Sequence, residues 1–281
     1  MIPTQFDYKR ASSIDEAIAM LADGDAKLLA GGHSLVPLMK LRLSEPGTLI
    51  DIARIPGLSG VREKDGKIEI GATTVHHDVA TSSLLLQQAP VVAEAAAEIG
   101  DPQVRNRGTL GGSLAHSDPA ADMPAVVVAL DAEIHLKGPN GWRAVKAENF
   151  FQDLFTVDMA ENEIIAGVQF APIRKAAYAK LHQRASHYAI VGVCAALQVS
   201  GNTCTSARVA ITGASTHAQR LTAVENALAG KELTQANIDA AAQLADQGLT
   251  DVNADIHASE AYRRAMAKVF TRRAIERAAA R

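Results

Sequence analysis

Two short segments carry the residue types from which a phosphate-binding site is built: Ala30-Gly31-Gly32-His33-Ser34 and Thr109-Leu110-Gly111-Gly112-Ser113. Paired glycines after an apolar stretch allow positive φ and let the backbone approach a ligand with no Cβ in the way. Successive N–H groups can then converge on one anion, and Ser34, Thr109 and Ser113 add hydroxyl donors. Neither segment matches the six-position dinucleotide fingerprint or a phosphate loop ending in Lys-Ser/Thr. Each alone reads more readily as a tight strand-to-helix turn than as a binding site. Two of them, on different parts of the chain, suit a diphosphate ringed by neutral donors, which fits a permanently bound dinucleotide better than a hydrolysed triphosphate.

Other reactive side chains point elsewhere. His76-His77-Asp78 has metal-capable groups, but read as strand residues the two imidazoles face opposite ways, so no metal site is expected. Cys194 and Cys204 are the only cysteines and are expected as free thiols. An ordinary iron-sulfur cluster takes four protein ligands, so a cluster working with this protein must sit on another chain. Ser34, Ser113 and the neighbouring histidines form no hydrolase set, and no catalytic residue is assigned. Arg263, Arg264, Lys268, Arg272, Arg273, Arg277 and Arg281 make the last helix basic, which reads as a solvated face or, alternatively, as a dock for an acidic partner.

The elements that position these residues are legible in outline. The chain has 281 residues, 48% hydrophobic and 21% charged, enough for two or three lobes, and a net charge of −3 offers no basic field for nucleic acid. No secretory signal or membrane-length apolar run is seen, which places it in the cytoplasm by default. Ser13-Ile14-Asp15-Glu16 predicts a capped helix ending near Gly24. A strand at Lys27–Ala30 then enters the first glycine segment, followed by a short helix or turn over Leu35–Leu43 and a strand at Thr48–Ile52. A second lobe begins near Leu58, with strands at Lys67–Ala72, Ala132–Leu136 and Glu163–Phe170 and helices at Pro90–Ile99 and Pro119–Leu130, the latter with Asp122 as its N-cap. Pro172 marks a boundary, and a third, α+β lobe has strands at Ala189–Val199 and Ala207–Gly213 and helices at Thr234–Leu249 and Ser259–Arg281. The predicted domains are therefore 1–57, 58–172 and 173–281.

At this point the sequence resembles a known family. Ala30 to Lys40 is similar to the first FAD-contact segment of the carbon monoxide dehydrogenase medium subunits. Asp101-Pro102-Gln103-Val104-Arg105-Asn106, Gly108 to Ser113, and Asp118-Pro119-Ala120-Ala121-Asp122-Met123-Pro124 resemble the second, and more distantly the xanthine dehydrogenase flavin domain. Likeness extends to Met1-Ile2-Pro3, Phe6-Asp7-Tyr8 and the C-terminal lobe.

The resemblance implies an α+β fold: a two-lobed FAD-binding domain of the vanillyl-alcohol oxidase (PCMH) type, plus a C-terminal α+β domain of the CO dehydrogenase flavoprotein type. It implies FAD in this chain, and an iron-sulfur small subunit and a molybdopterin large subunit as partners in a dimer of heterotrimers. Electrons would pass from the clusters to FAD and on to an external acceptor. By position, Ala30, Gly31, Gly32, His33, Ser34 and Leu35, with Thr109, Leu110, Gly111, Gly112 and Ser113, would line the diphosphate. His116 lies on the stretch leading to Asp122, which would approach the ribityl or ribose region. Ile164 and Ile165 would pack near the isoalloxazine, and Lys180 and Tyr188 would lie at the ring or its edge. Read without the resemblance, Asp122 is a helix cap and the two isoleucines are core. A free-standing flavoprotein oxidoreductase and a non-enzymatic nucleotide-binding scaffold remain alternatives. The substrate of the complex (CO, aldehyde, purine, N-heterocycle or aromatic thioester) and its electron acceptor are left open.

Overall fold

A computed structural model describes residues 2–22 and 24–281; Met1 lies outside the described residues. The first lobe is a parallel three-stranded sheet, with Thr48–Asp51 between Asp7–Arg10 and Ala26–Leu29. Helix Ile14–Leu21 starts where Ser13 accepts a bond from the Glu16 N–H at 3.1 Å. Glu16 returns to the N–H of Ser12, at 2.7 Å, so the capping box closes one residue before the cap. The helix buries Ala17 and Ile18 with Ile50, Ile52 and Leu58 in one apolar cluster.

The second lobe is an antiparallel five-stranded sheet in the order Val61–Lys64, Lys67–Gly71, Ile164–Phe170, Glu133–Gly138, Gly141–Lys146. Its first hairpin turns at Asp65 and Gly66, both at positive φ, which matches the twist of the paired strands. Glu133–Gly138 alternates half-buried and buried residues and pairs with Gly141–Lys146, a strand the sequence reading lacked because its outer residues hide the alternation. The alanine-rich helix Pro90–Ala97 packs beside Asp122–Ala129. That second helix begins at Asp122, not Pro119, and Ala121 stands at the cap position without a side-chain bond. All eight of its residues are buried, which is why it has no amphipathic period.

Behind this helix lies an antiparallel sheet of Ala176–His182, Ala189–Ser200, Thr203–Thr212 and Gln219–Arg220. Both its faces are buried in strict alternation: Ala176, Tyr178, Cys194, Ala196 and Ala210 join the core of the second lobe. Ala177, Ala179, Val193, Ala195, Val209 and Ile211 join a separate core under helices Thr222–Leu228, Gln235–Ala242 and Glu260–Ala279. Both cysteines are free and buried.

The basic last helix is not a simple solvated face. Arg263 is buried and donates to the carbonyls of Ile190 and Gly213 and to Asp255 at 2.6–2.7 Å. Lys268 pairs with Asp246, Arg277 donates to the Tyr178 carbonyl, and Arg281 reaches the Ala176 carbonyl and Glu94. Most of these cations tie the helix to the sheet and loops beneath it. Arg272 and Arg273 remain exposed, Arg273 lying over the Phe270 ring.

Candidate flavin site

The strand Ala26–Leu29 delivers Ala30-Gly31-Gly32 to the seam between the first two sheets. Any Cβ on Gly31 would overlap the Arg107 carbonyl oxygen and lie 3.0 Å from Gly108 Cα, so the two glycine segments meet backbone to backbone. Gly32, at φ +75°, turns the chain into helix Leu35–Lys40. Among the described residues, the N–H groups of Gly31, Gly32, His33, Ser34 and Leu35 have no acceptor, whereas Val36 N–H already bonds the Gly32 carbonyl. His33 is held by a 3.2 Å contact from Nδ1 to the Gly31 carbonyl. A run of five unpaired amides at a glycine turn is an anion-binding concavity.

The second segment is built differently from the sequence expectation. Leu110 and Gly111 N–H groups bond the carbonyls of Thr74 and Ala72, Gly112 N–H bonds Thr109 Oγ1, and Ser113 N–H bonds the Thr109 carbonyl. All four amides are consumed because the segment is the capped first turn of helix Leu110–His116, pressed on Ala72–Thr74. Gly111 is needed for that packing, since its Cβ would lie 2.6 Å from that of Ala72. Leu110 and Gly111 are buried, and Gly112 with the Ser113 hydroxyl forms the accessible surface. The amide nest belongs to the first segment alone.

From there the chain runs to the third lobe. Helix Leu110–His116 ends at Ser117 in the left-handed region, and an Asp118-centred turn leads into Asp122. His116 packs against Phe155, ring centroids 5.1 Å apart. Asp122 is no cap: it is 5% exposed, accepting from Tyr178 Oη at 2.6 Å and Lys180 Nζ at 2.9 Å. Lys180, whose side chain is enclosed, also donates to the Glu98 carbonyl at 3.0 Å. Burial pushes the Asp122 carboxyl up to about 6 against the opposing pull of Lys180 and Tyr178. A Cβ on Gly192 would overlap the Tyr178 hydroxyl, so a glycine there admits the phenol. Neither Tyr178 nor Gly192 is marked in the sequence, because the strands Ala176–His182 and Ala189–Ser200 read as plain apolar, alanine-rich runs.

Tyr188 stands half-exposed beside a cleft of about 390 Å³ whose walls include Asp118, Asn253, Asp255 and Arg263. Burial, then Asp118 and Asp122, raise its phenol pKa. Ile164 and Ile165 are both core residues, Ile164 joining the first-lobe cluster and Ile165 that of the second. His76 begins a helix, His76–Thr81, not a strand, and is buried. Among the described residues, no cluster of metal-ligating side chains is present.

The first two lobes meet where Gly31 presses on the Arg107–Gly108 backbone, with unpaired amides on one side and a capped glycine turn on the other, a geometry suited to an anionic ligand held by neutral donors. Comparison with known proteins makes the class specific. Residues 4–172 match the family described as FAD binding domain in molybdopterin dehydrogenase, and residues 176–278 match the CO dehydrogenase flavoprotein C-terminal domain. The carbon monoxide dehydrogenase medium chain of Hydrogenophaga pseudoflava is 41% identical over 100% of this chain and 99% of its own length. The glyceraldehyde dehydrogenase medium chain of Sulfolobus acidocaldarius is 36% identical over 99% and 100%. Among solved structures, carbon monoxide dehydrogenase from H. pseudoflava superimposes with a TM-score of 0.96 at 41% identity, covering 100% and 99% of the two chains. Quinoline 2-oxidoreductase from Pseudomonas putida 86 gives 0.94 at 33% identity, again covering 100% and 99%. The chain belongs to the family of FAD-binding medium subunits of the molybdenum hydroxylases, and is an oxidoreductase subunit.

Proposed function

We propose that the diphosphate of FAD rests on the amides of Gly31 to Leu35, faced by Gly112 and the Ser113 hydroxyl across the Gly31–Arg107 seam. The five unpaired amides carry this reading. A flavin so anchored extends past His116 toward Asp122, Lys180 and Tyr188, the polar set on the route into the third lobe. Ala30, His33 and Ser34 shape the nest; Thr109, Leu110 and Gly111 hold the opposing turn in place; Ile164 and Ile165 supply rigid apolar backing. The working parts are 1–57, 58–172 and 173–281, with the cofactor between the first two.

Bound FAD supplies electron transfer, from iron-sulfur clusters of a small partner subunit to an external acceptor, while the molybdopterin large subunit oxidises the substrate. The protein's own groups bind, orient and shield, and none acts as nucleophile or general acid. Assembly as a dimer of heterotrimers and a cytoplasmic location complete the proposal. Relatives that superimpose this closely carry names as different as carbon monoxide dehydrogenase and quinoline 2-oxidoreductase, which supports a substrate choice made outside this fold.

The test is Gly31→Ala, whose methyl group overlaps the Arg107 carbonyl. Flavin content, read from visible absorbance against protein, falls by at least about tenfold, while the far-ultraviolet circular dichroism of the chain is unchanged. Full flavin retention would overturn the placement.

A further inference from the structure

Strands Phe151–Asp153 and Thr156–Val157 form a hairpin that joins none of the three larger sheets. Its root is fixed in the core, where Phe150 and Phe151 are buried with their rings edge to face, centroids 5.2 Å apart. Its tip is turned outward. Leu154 and Phe155 are 49% and 52% exposed. Phe155 also stands at φ +52°, a turn conformation that suits glycine or asparagine and strains a bulky side chain. A glycine there would relieve the strain and take an apolar ring out of water. An aromatic ring that is both strained and exposed is the pattern of a side chain held out for a contact the chain alone does not make.

The ring that Phe155 does touch gives the direction of that contact. It packs on His116, centroids 5.1 Å apart. His116 follows Gly112 by four residues and Ser113 by three in helix Leu110–His116, so the three share one helix face. Gly112 and the Ser113 hydroxyl face the proposed diphosphate, and His116 comes one turn later, about 6 Å along the axis. The proposed flavin arm runs along this face. Burial lowers the His116 pKa against the opposing pull of Asp118, which favours an uncharged imidazole at neutral pH. A neutral imidazole backed by a phenyl ring makes an apolar wall on a route whose other groups are polar.

We propose that Phe155 is a further cofactor-binding residue: its ring, braced by His116 at the tip of the hairpin, packs against the isoalloxazine of the bound flavin. The inference rests on the flavin reading above and adds an apolar contact to the amides of the first segment. It also accounts for a phenylalanine at a turn position where glycine would be free of strain.

Flavin is removed from the full-length chain, and FAD affinity is measured by fluorescence titration for wild type, Phe155→Gly and Phe155→Tyr. Visible circular dichroism of the bound flavin is recorded for each. The expected result is binding at least about fivefold weaker in Phe155→Gly, with altered flavin bands and a melting temperature of the flavin-free chain equal to or above wild type. Phe155→Tyr keeps the ring and recovers most of the affinity. Unchanged affinity or unchanged flavin bands in Phe155→Gly, a loss matched by lower stability of the flavin-free chain, or no recovery by tyrosine would each overturn the inference. If wild type itself takes up no FAD, the flavin reading fails too; if wild type and Phe155→Gly bind alike, only the Phe155 inference fails.

Discussion

Lys180 Nζ lies 2.9 Å from the Asp122 carboxylate, both side chains almost wholly enclosed, and the pair joins the buried helix Asp122–Ala129 to the first strand of the C-terminal sheet. Tyr178, two residues earlier on the strand, takes the other carboxylate oxygen. Asp122 and two residues of one strand, 56 and 58 positions away, thus form one closed polar unit beneath the proposed flavin.

Breaking that unit from one side leaves an uncompensated buried charge. Lys180→Met is expected to destabilise the flavin-free chain by about 3–5 kcal/mol. The double variant Asp122→Leu/Lys180→Met recovers much of the loss. Denaturant melts of wild type, both single variants and the double variant measure the coupling; a single-variant cost below about 0.5 kcal/mol would mean that the pair is dispensable.

The raised Asp122 pKa sets a pH dependence. A carboxyl at about 6 in the fold and 3.8 in its ordinary state holds a proton between those values that the unfolded chain has lost. The folded state binds more protons in that window, so the stability contribution of this group falls as pH rises from about 4 to about 6. Wild-type stability relative to Asp122→Asn is expected to decline by roughly 2–3 kcal/mol across it. Paired thermal melts at intervals of pH would show the difference, and a flat or rising difference would contradict the assignment.

Gly192→Ala places a methyl group on the Tyr178 hydroxyl. The phenol must move, which costs about 1–3 kcal/mol and opens the Asp122 contact. Melting temperature falls, and Tyr178→Phe combined with Gly192→Ala is less destabilised than the sum of the two. Strict additivity would separate Gly192 from the polar unit.

Cations of the last helix divide by what they touch. Arg263→Leu removes a guanidinium that satisfies Ile190, Gly213 and Asp255, and is expected to cost about 3–5 kcal/mol. Arg272→Glu with Arg273→Glu changes stability by less than about 1 kcal/mol, because both side chains are exposed. Copurification of partner chains with this double variant checks the remaining docking role, and lost assembly with intact folding would restore it.

Local signals in the sequence were reliable where the physics is local. Ser13 caps its helix, Gly32 turns the chain after a strand, and the alternation of Glu133–Leu136 marks a half-buried strand, since each depends on residues a few positions away. The family resemblance likewise follows from short contiguous runs. Long-range burial erased other signals: the helix at Asp122 shows no apolar period because both its sides are covered, and the strand at Ala176 reads as a plain alanine run because both sheet faces are buried.

The two glycine segments show the division most sharply. Their composition is nearly the same, and the sequence by itself determined that both are close-approach backbone with adjacent hydroxyls. Only the tertiary structure decided that the N–H groups of Gly31 to Leu35 have no acceptor among the described residues while those of Leu110 to Ser113 are spent on Thr74, Ala72 and Thr109. The reason is physical: an amide is available to a ligand only if no carbonyl or hydroxyl of the folded chain reaches it first. The same holds for Asp122, whose partners lie 56 and 58 residues away and came within reach only when the C-terminal sheet packed against its helix.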